Sequence, residues 1–296
     1  MICQLSAHYP VRDICQALEL SRSGYYAALR RKQAPSAREQ SNQRLMERVQ
    51  SIYQEHRRCY GSPRITRELR ANRVDCSENR VARLMRRHGL RAKQKRAFRP
   101  RTTVRAKEDL VAPNRLQALG TDRLTSLDQV WVTDITYICT RDAGWCYLAA
   151  IMDLKSRKIL GWSLEKHMKS SLIGKTLDRA LACRLPAPGL FLHSDRGCQF
   201  TCRDFQERLN SLGILPSMGQ TGYCYDNAAM EAFWSTLKSE LLPDDGVFES
   251  MATARIHLFE YIEVYYNRKR RHSSLGYLSP ENYEKQLQIT QQTNHN

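Results

Sequence analysis

No apolar run in the 296-residue sequence is long enough to cross a bilayer. The longest stretches, such as Trp145 to Met152, fall far short of the roughly 20 residues a spanning helix needs. The segment Met1 to Pro10 lacks a basic patch followed by a continuous apolar stretch, so no secretory signal is read and a cytoplasmic protein is expected. Ten cysteines occur, at 3, 15, 59, 76, 139, 146, 183, 198, 202 and 224, but no C-x-x-C pair and no histidine pair at zinc-finger spacing accompanies them. Reduced, buried or incidental thiols are the reading. Acidic residues are scarce in the first third: residues 1–110 hold 26 Lys/Arg against 10 Asp/Glu, a net +16. Residues 111–296 hold 21 against 20, so almost the whole net charge of +17 sits near the amino terminus. A concentrated positive field attracts a phosphate backbone through counterion release; a solvated basic surface or a basic face for acidic lipid is the plainer alternative.

What is present fits a soluble globular chain, 42% apolar and 26% charged, long enough for two or three domains. Val11, Ile14, Cys15 and Leu18 recur at helical spacing; after a break at 19–21 a second helix runs through Tyr25, Tyr26 and Leu29. This makes 1–35 a candidate helix-turn-helix. A longer helix is expected from Ser36 to His56. Gly61-Ser62-Pro63 then reads as a turn, a serine N-cap and a proline opening the next helix. Ser77 caps a further helix with Val81, Leu84 and Met85 apolar and Gly89 as terminator, giving a helical, helix-turn-helix-like DNA-binding region over 36–98. Arg80, Arg83 and Arg87 fall at i, i+3 and i+7 of that helix, a stripe suited to phosphates or guanine edges or simply to solvent.

A basic linker is expected over 99–125. Val130 to Ile138, Trp145 to Met152 and Ile159 to Leu164 then read as antiparallel strands, followed by a helix from Ser170 to Cys183, a strand at Leu190 to His193, a helix from Thr201 to Leu212 and a strand at Ile214 to Pro216. After a Gly/Tyr-rich loop comes a helix from Asp226 to Leu241. The pattern is an α/β layer fold over 126–243. A last helix is expected at Thr253 to Tyr266, within a carboxyl-terminal helix and basic tail over 244–296.

Three carboxylates do not suit these surroundings. Asp134 interrupts a β-branched and aromatic strand, where an unpaired carboxylate costs several kcal/mol, on the order of the penalty for burying any lone charge. Asp195 ends Leu-Phe-Leu-His-Ser-Asp at the carboxyl end of a strand, where α/β sheets place their sites. Glu231 shares a polar helix side with Asn227, Ser235 and Lys238, while Phe233, Trp234 and Leu237 face elsewhere. Three such groups share a small space only if cations offset their repulsion, and Mg²⁺ with oxygen ligands is the natural candidate. Two ions about 4 Å apart would activate a nucleophile on one side of a phosphodiester and stabilise the leaving oxygen on the other.

Trp131-Val-Thr-Asp134-Ile-Thr-Tyr137, His193-Ser-Asp195-Arg-Gly197 with Gln199, and Asp226-Asn227-Ala-Ala-Met-Glu231 with Lys238 resemble the motifs of bacterial insertion-sequence transposases of the DDE, retroviral-integrase-like group. Asp195 and Glu231 are separated by 35 residues, as in that group, and a basic residue follows the glutamate by seven. The likeness extends to Tyr60-Gly-Ser-Pro-Arg64 and to the segment from Tyr266 to Pro280. It implies a ribonuclease H-like core, with a mixed five-stranded sheet and helices, behind an all-α helix-turn-helix region. It implies catalytic and metal-binding roles for Asp134, Asp195 and Glu231, two Mg²⁺ ions with Mn²⁺ as a substitute, and DNA contact by Lys238. Expected partners are double-stranded DNA, as terminal inverted repeats and target, a second copy of the chain, and a first-reading-frame product or fusion; the expected location is the bacterial nucleoid, away from membranes. The zinc-binding amino-terminal domain of retroviral integrases has no counterpart in these spacings.

Other residues are given mainly structural expectations. Asp153 suits a hairpin turn, Asp226 an N-cap, and His193 a satisfied half-buried position, though its strand parity also points it toward the metals. Tyr223 and Tyr225 suit either packing or stacking on a splayed base. Arg268 to Arg271 suits a solvated or DNA-facing tail. Two rival functions follow: a nuclease of the same fold without strand joining, and a DNA-binding regulator that has lost the chemistry.

Overall fold

The computed structural model describes residues 6, 8–33, 36–93, 111–120, 123–219 and 227–293. Two compact units divide the chain, Met1–Ala92 and Lys93–Asn296.

The first unit is helical. Helices α1 (Val11–Ala17) and α2 (Arg22–Gln33) flank a turn in which Glu19 has a positive φ. α3 (Ala37–Glu55) starts at Ser36, whose side chain accepts from the Glu39 N–H, a cap worth about 1 kcal/mol. α4 (Ser62–Ala71) and α5 (Glu78–Arg87) pack on it around Leu45, Met46, Val49, Tyr53, Ile65, Leu69, Val81, Leu84 and Met85. The cap of α4 is Gly61, one residue before the expected Ser62: Gly61 is extended, and Ser62 is already helical, its carbonyl accepting from the Thr66 hydroxyl. Ser77 caps α5 as expected, and Gly89 beyond its end has φ +68°. Tyr60 is fully buried, stacked on His56 at 3.9 Å, with the Arg64 guanidinium 5.4 Å from its ring centroid, so Tyr60 and Arg64 of that motif take part in packing.

The second unit is built on a mixed sheet. After the short α6 (Arg115–Leu119), β1 (Val130–Thr140), β2 (Gly144–Asp153) and β3 (Ile159–Glu165) form an antiparallel meander. Then follow α7 (Ser170–Cys183), β4 (Phe191–Ser194), α8 (Cys198–Thr201), α9 (Arg203–Ser211), β5 (Leu215–Met218), α10 (Ala228–Leu241), β6 (Val247–Phe248), α11 (Met251–Phe259) and α12 (Pro280–Thr293). The strand order is β3-β2-β1-β4-β5, with β4 parallel to β1 and β5 parallel to β4; β6 adds a two-residue sixth strand on the far end of β1. One sheet face carries Trp131, Ala149 and Ile151 against Leu172, Ile173 and Leu177 of α7 and Phe205 of α9. α7 comes so close that a Cβ on Gly161 would stand 2.5 Å from the Thr176 carbonyl oxygen, which explains glycine there. The opposite face carries Val132, Leu148, Ala150 and Met152 against α10 and the helix through 251–266.

Several expectations need correction. The helix expected over 201–212 runs from Arg203 to Ser211, and a separate short helix, Cys198–Thr201, precedes it with Cys202 extended between the two. The helix expected to end at Tyr266 continues from α11 as a π-helical segment, Glu260–Tyr266, which turns Tyr261, Ile262, Tyr265 and Tyr266 into the core. α12 was not expected at all. The basic run 268–271 is not a uniform tail: Arg270 is buried, donating to both carboxylate oxygens of Glu240 at 2.7 to 3.1 Å, while Arg271 donates to the Tyr277 carbonyl. Asn267 closes the buried start of β3, accepting from the Ile159 N–H and donating to its carbonyl, both at 2.9 Å. Most of the expected basic linker, together with Tyr223, Tyr225 and Asp226, lies outside the described residues.

Candidate active site

Parallel pairing decides where the first two carboxylates meet. β4 is hydrogen-bonded to β1 only from Val130 to Val132, and it ends at Ser194. Asp134, opposite Ala150 in β1, therefore lies just past the end of β4, and Asp195 is the first residue after that end. Asp195 is then fixed by an Asx-type turn in which its Oδ1 accepts from the Gly197 N–H at 2.9 Å. Gln199 folds over Gly197 so tightly that a Cβ there would meet its amide at 2.2 Å, and Arg196 donates to the Gly219 carbonyl at 2.9 Å. The Asp195-Arg-Gly197 motif with Gln199 is thus the geometry of one turn.

α10 delivers the rest. It packs Met230, Phe233, Trp234 and Leu237 into the core and leaves Glu231 exposed in its first turn, with Ser235 and Lys238 half-buried. Trp234 does not simply face away: its indole N–H donates to Asp134 Oδ2 at 3.0 Å. The sequence carried a signal for this, since Trp234 stands three residues after Glu231 and so on a neighbouring line of the helix.

Electrostatics show which groups sense one another. Burial first, then the charge of Asp195 and, least, that of Glu231 raise the Asp134 carboxyl to about 7, against the opposing hydrogen bonds from the Ile135 backbone and Trp234. Burial also raises Asp195, against the pull of the Gly197 hydrogen bond. Lys238 is lowered by burial and held up by the charge of Asp134. The structure therefore gathers Asp134, Asp195, Glu231 and Lys238 at one end of the sheet. Among the described residues no three His, Cys, Asp or Glu side chains converge tightly enough to hold a single ion. The donor chemistry nonetheless fits: carboxylate oxygens alone, crowded and under-neutralised, suit a hard divalent cation rather than zinc.

The remaining expected residues lie elsewhere. His193 is buried with Nδ1 2.9 Å from the Ser217 hydroxyl, bridging β4 and β5. Asp153 is fully buried and accepts from the Ser156 and Asp128 N–H groups, the turn role expected of it. Arg80 donates to Asn42 and Ser41 of α3, both at 2.9 Å, and Arg87 stands 3.5 Å from Glu39. Arg83 of that stripe is an exposed side chain, and Arg86 is exposed beside it. No described helix is long and apolar enough to cross a membrane.

Comparison with known proteins agrees with this architecture. The HTH-like domain family matches residues 40–98, and two integrase core domain families match 125–224 and 212–280. The integrase core family is divalent-metal dependent. The chain is 41% identical over 268 residues to the insertion element IS600 31 kDa protein of Shigella sonnei, covering 90% of this chain and 96% of that protein. It is 39% identical over 279 residues to the transposase InsF for insertion sequence IS3A of Escherichia coli, covering 94% and 95%. The catalytic core domain of BIV integrase aligns with a TM-score of 0.40 at 17% identity, over 55% of this chain and 98% of that one. With its helix-turn-helix-like region, its integrase core and its likeness over nearly the whole chain to the IS600 and IS3A proteins, the chain belongs to the insertion-sequence transposases with an integrase core domain, the DDE-type enzymes.

Proposed function

We propose that Asp134, Asp195 and Glu231 are the residues that hold two Mg²⁺ ions in this transposase, with Mn²⁺ able to replace them. The observation that carries this reading is the meeting of Asp134, inside β1, with Asp195, just past the end of the parallel β4, with Glu231 sensed by the same carboxyl. When bound, divalent metal supplies Lewis acidity, activating the attacking oxygen and stabilising the leaving one. The chain's own part is positional. The Asx turn holds Asp195, the sheet holds Asp134, and α10 carries Glu231 and Lys238, whose ammonium would lie against a phosphate of the element end.

Cleavage at the element end frees a 3′-hydroxyl. That hydroxyl then attacks a second phosphodiester, one P–O bond forming as another breaks, so joining needs no external energy. Docking on the terminal inverted repeats falls to the region 36–98, mainly through phosphate contacts, with Arg83 the best-placed side chain of the expected stripe and Arg80 and Arg87 turned toward α3. The boundaries 1–35, 36–98, 99–125, 126–243 and 244–296 describe the working parts. Two ends must be held together, so the active form is at least a dimer on DNA, alone or with a first-reading-frame product, in the cytoplasm at the nucleoid.

The test uses the purified chain, Mg²⁺ and a duplex of the element end labelled at its 3′-terminus. Covalent linkage of the label to a longer duplex supports strand transfer; cleavage without linkage supports the plain nuclease instead. Asp195→Asn is expected to remove both products and leave end binding intact. Joining at the wild-type level by that variant would refute the assignment.

A further inference from the structure

We propose that Trp234 is the positioning residue for Asp134, its indole N–H holding one carboxylate oxygen so that the other is presented to divalent metal. This rests on the reading that Asp134 is a metal ligand. The hydrogen bond runs from Trp234 Nε1 to Asp134 Oδ2 at 3.0 Å. An indole can only donate, so the contact has a fixed polarity and requires Asp134 as acceptor.

The donor is rigidly mounted. Trp234 is 6% exposed and packs in the core under the sheet, with the Phe233 ring centroid 4.7 Å away. It also sits one turn after Glu231 on α10, so a single helix sets both the place of one candidate ligand and the orientation of another. Without that bond the half-buried Asp134 carboxylate would keep the Ile135 backbone hydrogen bond but lose the side-chain donor that limits its turn about χ2. A carboxylate that must be ordered at the moment of binding holds an ion less well, and groups behind metal ligands typically contribute 10- to 100-fold in affinity, on the order of one to two decades.

Trp162 provides an internal comparison. It too is a core tryptophan whose indole donates to a carboxylate, Glu263, at 2.9 Å. Trp162 bonds no candidate ligand, so removing its N–H perturbs the same core without touching Asp134.

The experiment is Mn²⁺ binding to the full chain without DNA, followed by the loss of the free-ion paramagnetic resonance signal. Trp234→Phe is expected to weaken Mn²⁺ binding by about tenfold, and Trp162→Phe to leave it unchanged. Because phenylalanine also removes ring volume, the same titration is made with benzothienylalanine at position 234, which keeps the shape and loses only the N–H; the same weakening is expected. Wild-type affinity in that isostere overturns the positioning role. Wild-type affinity in Asp134→Asn overturns instead the reading of Asp134 as a ligand, so the two failures are distinguishable.

Discussion

The two units handle charge in opposite ways. Among the described residues the helical unit, Met1–Ala92, buries His56 and Thr66 but no carboxylate and no arginine, and it leaves Arg83 and Arg86 exposed. Residues 111–296 of the sheet unit carry a net charge of only +1, yet the unit buries Asp153, Glu240, Glu284 and Arg270 and desolvates Asp134 and Asp195. Exposed charge acts at a distance, is screened by salt and suits phosphate contacts that are made and released. Desolvated charge is costly unless paired, so each case calls for a partner in the fold or a bound ion. Glu240 has Arg270, and Glu284 has Arg184, Lys158 and the Ser156 hydroxyl. Asp134 accepts from the Trp234 indole and senses the like charges of Asp195 and Glu231 together with the ammonium of Lys238, and its carboxyl is still raised, so it is the case that calls most for a bound ion.

The sharpest way to break this contrast is at the under-neutralised cluster. Glu231→Gln is expected to lower strand joining by on the order of 10³-fold, comparable to removing a principal transition-state stabiliser. Glu231 is exposed, so thermal stability should barely move. A large drop in melting temperature would mean that Glu231 is structural instead.

The paired buried charges should behave the other way. Arg270→Ala strands Glu240 and Tyr261, whose hydroxyl donates to Glu240 at 2.9 Å, and is expected to cost about 3 to 5 kcal/mol in urea unfolding. Because Glu240 lies on α10, which carries Glu231, activity should fall through loss of folded protein, not through a changed metal requirement.

A third probe is pH. The folded Asp134 carboxyl is raised to about 7 from 3.8, so between those values the folded state holds a proton that the unfolded chain has released. Stability of the metal-free protein should therefore decline as pH rises from about 4 to 7, by at most about 1.4 kcal/mol per pH unit from this group. Asp134→Asn should flatten that slope, as read from melts across the range; an unchanged slope would place the titrating group elsewhere.

The smallest effect belongs to the exposed unit. Arg83→Ala is expected to weaken binding to the element end by about tenfold and to reduce the salt dependence by about one counterion, as for a phosphate contact. Arg80→Ala should instead lower stability by about 1 kcal/mol, through its lost bonds to Asn42 and Ser41, with little change in salt slope. Filter binding at several salt concentrations separates the two.

The same contrast explains what could be read from the sequence. Local periodicity made β1, α7 and the cap at Ser77 legible, because each depends on neighbours within a few residues. Asp134 and Asp195 stood out as charges in strand contexts. Arg270, by contrast, resembled any member of a basic run; its partner Glu240 is 30 residues away and leaves no local pattern. Trp234 was assigned to the core by its apolar face, which is correct for the ring and misses the single polar atom that reaches Asp134 across 100 residues. Asn267, occupied with Ile159 at a separation of 108, was invisible for the same reason. Each of these side chains is explained by a contact made only after the chain has folded.

The central claim is where the metal sits, and Fe²⁺ in place of Mg²⁺ reads that directly. With ascorbate and peroxide, a bound Fe²⁺ generates radicals that cut the backbone beside it, and the fragments map the site. Cuts are expected near residues 134, 195 and 231 in the wild type and should disappear in Asp195→Asn. Cuts elsewhere in the chain, or an unchanged pattern in that variant, would contradict the assignment.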